Sequence, residues 1–313
     1  MNNSLKKLMS PNGKPKYLFF GGKGGVGKTS VSTATAVWFA DHGYETTIVS
    51  TDPTVSLSTM FHQEIRGDHV APIHQVPNLC GLNINPTDAK GVFQSRLNSL
   101  MGQVNVAFGN DVVSTPCAEE MASFDQFVGF LEAPQSDVVV FDTAPTGKTL
   151  RELAMPFDWA GYMEKQIKDG KELARIMNMD ESALDSLNSD KQRYDHAMSV
   201  LQDFATTVFS LVLLPERLPV EETQSAMSGL EKLGISVQAL VINQSIEPEV
   251  IEGNRFLQSR ADLQFRYQTE IDKRFASLAR TRLPLLDHDV SDLESLRKIG
   301  QLLYDDSSVK IYS

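Results

Sequence analysis

Short apolar runs closed by polar turns recur along the chain with the spacing of a βα repeat. Lys16–Phe20 follows Pro15 and breaks into a glycine loop, after which Ser30–His42 carries a helical stripe of Ala34, Val37, Trp38 and Phe39. Gly43 ends that helix, and the β-branched run Thr46–Val49 leads into Ser50-Thr51-Asp52-Pro53. Strand, loop, helix, strand is the opening of a doubly wound, mostly parallel α/β sheet. Leu82–Asn85, Asp137–Phe141, Thr207–Leu214 and Val237–Ile242 repeat the strand signal. Each closes on a polar or proline-bearing turn, where an open α/β sheet places its ligands.

Gly91–Leu131 and Asp158–Phe204 depart from this alternation and read mainly as helix. Leu97, Leu100, Met101 and Val104 make one stripe, and Phe124, Phe127, Val128 and Leu131 another. The pattern predicts one domain over 1–313, with a helical subdomain from approximately 89–133 and 158–205 inserted between sheet strands. Its stripes either face the core or in part form a partner-binding groove.

Composition narrows the class. With 313 residues, 41% hydrophobic and 22% charged, the chain can bury a large core. A formal net charge of -11 argues against nucleic acid or an anionic membrane surface as the main partner. Two cysteines, Cys80 and Cys117, form neither a CxxC pair nor a disulfide framework, which suits a reducing cytoplasm. Glycines interrupt the apolar run at Tyr17 after four residues, so neither a signal peptide nor a membrane span is expected.

The candidate chemistry sits in the glycine loop. Gly22 and Gly27-Lys28-Thr29 satisfy the spacing G-x-x-x-x-G-K-[ST] between a predicted strand and a predicted helix. Glycines at Gly22, Gly24, Gly25 and Gly27, with Val26 among them, let backbone N–H groups line an anion nest. The helix N-terminus at Lys28-Thr29-Ser30 adds unpaired N–H groups and a favourable dipole. Lys28 is expected to reach the β- and γ-phosphates of ATP, and the Thr29 hydroxyl to hold Mg²⁺. A second lysine, Lys23, lies within the loop itself. It either crosses to a nucleotide held by a facing subunit or remains a solvent-exposed charge beside the phosphates.

Two aspartates extend the site. Asp142 follows a strand and precedes Thr143-Ala144-Pro145-Thr146-Gly147, the place of a Walker-B-like acid holding Mg²⁺. Asp52 closes the neighbouring strand, where it could orient or deprotonate attacking water, or cap a helix.

Three segments together resemble the ArsA family of deviant-Walker ATPases, which drive arsenite pumps or target tail-anchored proteins: Gly22–Thr29, Ser50–Pro53 and Phe141–Arg151. The resemblance covers nearly the whole chain and implies a P-loop NTPase fold of the deviant Walker A type. It makes Lys23 the signature lysine acting across a nucleotide-bridged homodimer, and places Asp52 and Asp142 in the first and second switch loops. It implies that Asn243 reads the adenine edge, that the loop of Pro284, Leu285 and Asp289 covers the base, and that Pro215-Glu216 lies near the dimer interface. Asn243 is alternatively a turn former after a strand.

The departures bear on the branch. Lys148 and Val55 stand where the family carries histidines, and Thr59 where the tail-targeting branch has a water-activating aspartate. Phe256–Arg260 has no cysteine to match that branch's zinc pair. Cys117 resembles the metalloid-binding thiol of the pump branch, and two copies in a homodimer would offer arsenite two soft ligands; otherwise Cys117 is a small buried hydrophobe. The expectation is a Mg²⁺-dependent, homodimeric, cytoplasmic ATPase, free or peripheral at the inner face of the membrane, that energises arsenite efflux through a permease. The alternative is a chaperone for tail-anchored cargo, with Met163, Met177 and Met179 joining Leu97, Leu100 and Met101 in an apolar groove. Neither reading involves nucleic acid.

Overall fold

A computed structural model describes residues 4–52, 57–84, 117–132, 135–143, 146–177, 185–248, 251 and 253–305. Its centre is a sheet of β1 (Lys16–Gly21), β2 (Thr46–Ser50), β3 (Ala71–Pro72), β4 (Leu79–Asn83), β5 (Val138–Asp142), β6 (Thr207–Leu213), β7 (Val237–Ser245) and β8 (Ala279–Pro284). The strands lie in the order β3-β4-β2-β5-β1-β6-β7-β8. Every neighbouring pair is parallel except β3 with β4. The fold is therefore the doubly wound α/β sheet expected of a P-loop NTPase. The chain moves outward from β1 in both directions, so the tip of β1 lies at a topological switch point where an open sheet binds its ligand.

Alternation along the central strands feeds two cores. Leu18 and Phe20 of β1, Val138 and Val140 of β5, and Val208 and Val212 of β6 face one side. Helices α1 (Ser4–Met9) and α2 (Lys28–Asp41) and the short α3 (Leu57–Phe61) cover it. Tyr17, Phe19, Val139, Phe141, Phe209 and Leu211 face the other. There the layer contains α4 (Cys117–Glu132), α5 (Thr146–Met177), α6 (Asp185–Gln202), α7 (Arg217–Lys232) and α8 (Arg255–Arg274). Phe19 is the register partner of both Phe141 and Phe209, and its ring stacks on each at 4.4 Å. Each such pair contributes about 0.5–1.5 kcal/mol beyond area burial, and a one-residue slip of β1 would turn Phe19 to the wrong face.

Helix α9 (Leu293–Tyr304) completes the first face by packing along α2, the helix that carries the glycine loop. Asp292 caps it by accepting the Ser295 amide, and Leu296, Ile299, Leu303 and Tyr304 are buried. The Tyr304 hydroxyl, fully enclosed, bonds Thr35 Oγ1 at 2.8 Å and lies 3.1 Å from the Met9 sulfur. Tyr304→Phe leaves the Thr35 hydroxyl its bond to the Val31 carbonyl, so the expected cost is about 1 kcal/mol. Urea denaturation checks it; nucleotide affinity should not move.

Several boundaries differ from the sequence pattern. Helix α2 starts at Lys28, not Ser30, and β4 occupies Leu79–Asn83, not Leu82–Asn85, because Leu79 pairs with Thr46 in the parallel ladder. Helix α5 starts at Thr146, well before Asp158, and runs through Pro156. The C-terminal stretch read as short and mixed contains α9. Strand β8 escaped the apolar pattern because Arg280 and Arg282 interrupt it: Arg280 is buried and donates to the Phe275 and Leu278 carbonyls, and both arginines pair with Asp272. Residues 91–116 of the first helical stretch lie outside the described residues.

Candidate functional site

The glycine loop leaves the tip of β1 and turns directly into α2. Gly22 has φ +146°, and a Cβ there would sit 2.3 Å from the Val212 carbonyl oxygen on β6. Gly27 has φ +94°, with Asn243 Nδ2 of β7 at 2.3 Å from where its Cβ would be. Both positions require glycine, on conformation and on space. Gly24 and Gly25 instead border open space, and Val26 is buried. Gly27 caps α2 without a side chain. The first-turn amides of Lys28, Thr29 and Ser30 therefore meet no capping oxygen, the arrangement that receives an anion.

Beneath that turn the polar groups converge. Asp142, the last residue of β5, is fully buried and accepts the Thr29 hydroxyl on Oδ2 at 2.8 Å. Its other oxygen, Oδ1, is buried with no hydrogen-bond partner among the described residues. The nearby Ser32 hydroxyl is turned onto the Thr29 carbonyl. Burial pushes the Asp142 carboxyl up to about 6, against the Thr29 hydrogen bond and the Lys28 charge, which lower it. Lys28 is buried too; desolvation lowers its pKa while the carboxylates of Asp142 and Asp52 raise it. Asp52 lies just beyond the tip of β2, buried, its amide donating to Ser50 Oγ at 3.3 Å. The Thr51 amide donates to the Asp142 carbonyl at 2.9 Å, so the tips carrying the two aspartates are tied together.

Beside the loop, Gly27, Ser30, Asn243, Pro284, Leu285 and Asp289 line one cleft of about 360 Å³. That volume falls within the range of small-ligand sites. Its apolar wall includes Ile299 and Leu302 of α9, which sequence reading did not assign; their spacing with Leu296 and Leu303 was the available signal. Asn243 does not present free groups to this cleft. Its Nδ2 donates to the Val26 carbonyl at 2.9 Å and its Oδ1 accepts the Gln244 amide. In this conformation Asn243 braces the glycine loop.

Lys23 is also engaged within the chain. Its Nζ lies 2.8 Å from Glu222 Oε1 on α7, with the two side chains 41% and 44% exposed. Its carbonyl accepts Lys28 Nζ at 3.3 Å. Glu222 was not singled out from the sequence, where nothing near it marks a site. Thr59 is exposed on α3. Met163 is buried in the core on the second face, so it does not line a surface groove. Cys117 opens α4, but its side chain lies outside what the structure describes, as do Val55, Leu97, Leu100, Met101, Met179 and the side chains of Lys148 and Met177. No described helix is long and apolar enough to cross a membrane.

Comparison with known proteins agrees with the geometry. The profile of the anion-transporting ATPase family matches residues 15–305. The putative arsenical pump-driving ATPase of Halobacterium salinarum is 37% identical over 305 residues, covering 96% of this chain and 46% of that protein. An arsenical pump-driving ATPase of Escherichia coli is 35% identical over 237 residues, 73% of this chain and 39% of its own length. ATPase GET3C of Arabidopsis thaliana is 30% identical over 333 residues, covering 96% of this chain and 85% of that protein. The chain thus spans less than half the length of the pump-driving relatives and most of the plant one.

Proposed function

Because the chain belongs to the anion-transporting ATPase family, we propose that it hydrolyses ATP with Mg²⁺ as a nucleotide-bridged homodimer and thereby energises arsenite efflux through a membrane permease. The observation that carries the ATPase chemistry is the buried Asp142 carboxylate, one oxygen bonded to Thr29 and the other without a partner, at the N-terminus of α2. Hydroxyl and carboxylate oxygens are the hard ligands Mg²⁺ takes, so Thr29 and Asp142 would hold it; when bound, the ion offsets charge on the β- and γ-phosphate oxygens. Lys28 and the loop amides bind those phosphates. Asp52 orients the attacking water. The cleft of Asn243, Pro284, Leu285 and Asp289 takes the base, and Lys23 serves the nucleotide of the facing subunit.

The arsenite assignment draws on the relatives named as arsenical pump-driving ATPases and on Cys117 at the opening of α4. Two subunits would each supply one thiolate, soft ligands suited to As(III), with a water or another group as the third. Arsenite then favours the closed dimer by binding it more tightly than the open one. Turnover of the purified protein with and without arsenite tests this. Stimulation is expected in the wild type and should be lost in Cys117→Ser; stimulation that survives the substitution would rule out Cys117 as the ligand.

A second reading, an ATPase that carries tail-anchored membrane proteins, has one observation in its favour: ATPase GET3C matches this chain over most of its own length. The burial of Met163 removes one residue from the groove that reading needs. Absence of arsenite stimulation, together with ATP-dependent capture of a tail-anchor peptide, would select it.

A further inference from the structure

We propose that Glu222 is a positioning residue for Lys23: it holds the loop lysine on its own subunit and competes with nucleotide phosphate for that lysine. The inference rests on the ATPase reading of the site and adds a regulatory contact to it.

The geometry carries it. Glu222 sits in the second turn of α7, on the face shared with the exposed Leu218, and its Oε1 is 2.8 Å from Lys23 Nζ. The adjacent Glu221 is already paired with Arg274. Among the described residues no other cation lies within ion-pair distance of Glu222, and no other carboxylate within that distance of Lys23. The direction of the pull matters more than its strength. Val220, Ala226 and Leu230 anchor α7 to the second face of the sheet, whereas α2 and α9, which border the base cleft, cover the first. The ion pair therefore draws Lys23 toward the opposite layer from the cleft.

The Lys23 carbonyl is engaged at the same time, accepting Lys28 Nζ. Both lysines of the loop are thus held by groups of the chain itself, and both contacts must be exchanged when phosphate arrives. Gly24 and Gly25, which follow Lys23, meet nothing within 4 Å of a virtual Cβ, so packing does not oppose that movement. A half-exposed ion pair is a weak hold. A polyphosphate carries more negative charge than one carboxylate and displaces it, so Glu222 sets the nucleotide level at which Lys23 is released without blocking release altogether.

The experiment is a double-mutant cycle read by titration with a fluorescent ATP analogue, using wild type, Glu222→Gln, Lys23→Ala and the double variant. Glu222→Gln keeps the side-chain shape and removes the charge. It is expected to lower the half-saturating nucleotide concentration about two- to fivefold, the size an exposed pair supports, with kcat not reduced. In the Lys23→Ala background the same substitution should have no effect. An equal shift in both backgrounds, no shift, or a fall in kcat with Glu222→Gln would each overturn the proposal. If the wild type itself binds no nucleotide, the ATPase reading fails and competition with phosphate fails with it. Acylation of Lys23, followed by mass spectrometry, still isolates the hold: faster labelling in Glu222→Gln supports it, and equal rates overturn it.

Discussion

Lys23→Ala is expected to lower ATP turnover about a hundred- to a thousandfold, the cost of removing one preorganised charge from a phosphoryl-transfer site, while nucleotide affinity changes by less than about fivefold. Lys28→Ala is expected to lose affinity and turnover together. The difference follows from placement. Lys28 is buried under the loop beside Asp142 and Asp52, where its charge meets the phosphates in ground and transition state alike. Lys23 lies at the surface with its ammonium on α7, remote from its own subunit's cleft. An interaction that forms only after closure on a second subunit appears in kcat rather than in binding.

Mixing variants separates the two geometries. A dimer of one Lys23→Ala subunit and one Asp142→Asn subunit keeps a single complete site if Lys23 acts across the interface, and none if it acts within its own chain. Recovered turnover on mixing two inactive variants is the expected result. Its absence, with dimer exchange verified by a labelled subunit, would return Lys23 to its own phosphates.

How much of this was readable from the sequence depends on how local each determinant is. The glycine loop, Asp52 and Asp142 were legible because their chemistry is set by short spacings and by the position where an apolar strand stops. The central sheet was legible for the same reason: Val138–Asp142 and Thr207–Leu213 are buried along their whole length. Strand β8 was not, because the buried Arg280 and Arg282 are made compatible with burial by carbonyls and by Asp272, partners no local pattern reveals. Helix α5 was read short because Pro156 resembles a helix boundary, and tertiary packing of the long helix overrides that local preference. Glu222 was invisible on other grounds. It is a surface glutamate 199 positions from Lys23, and only the adjacency of β1 and β6 brings α7 beside the loop. Asn243 was found, but its bond to the Val26 carbonyl depends on the positive φ of Gly27.

Asp142→Asn is expected to abolish turnover and, in the nucleotide-free protein, to raise stability. The carboxylate is buried with only one oxygen satisfied, and its pKa is raised from 3.8 to about 6 in the fold. A raised acid favours the protonated form. The associated stability is fully present below the unfolded value and is lost as pH climbs through the folded one. Near pH 8 the ionised Asp142 therefore costs the nucleotide-free fold on the order of 2–3 kcal/mol, a cost asparagine does not carry. Its carbonyl can still accept the Thr29 hydroxyl. The variant's Tm should exceed the wild type's by several degrees at pH 8, and the gap should shrink toward pH 4, where both side chains are neutral. Adding Mg²⁺ and ATP should reverse the order, since the charged oxygens that strain the empty site are the ones that hold the metal. An equal Tm gap at both pH values would show that the stabilisation has nothing to do with the carboxylate's charge. A variant still hydrolysing ATP at the wild-type rate would remove Asp142 from the chemistry.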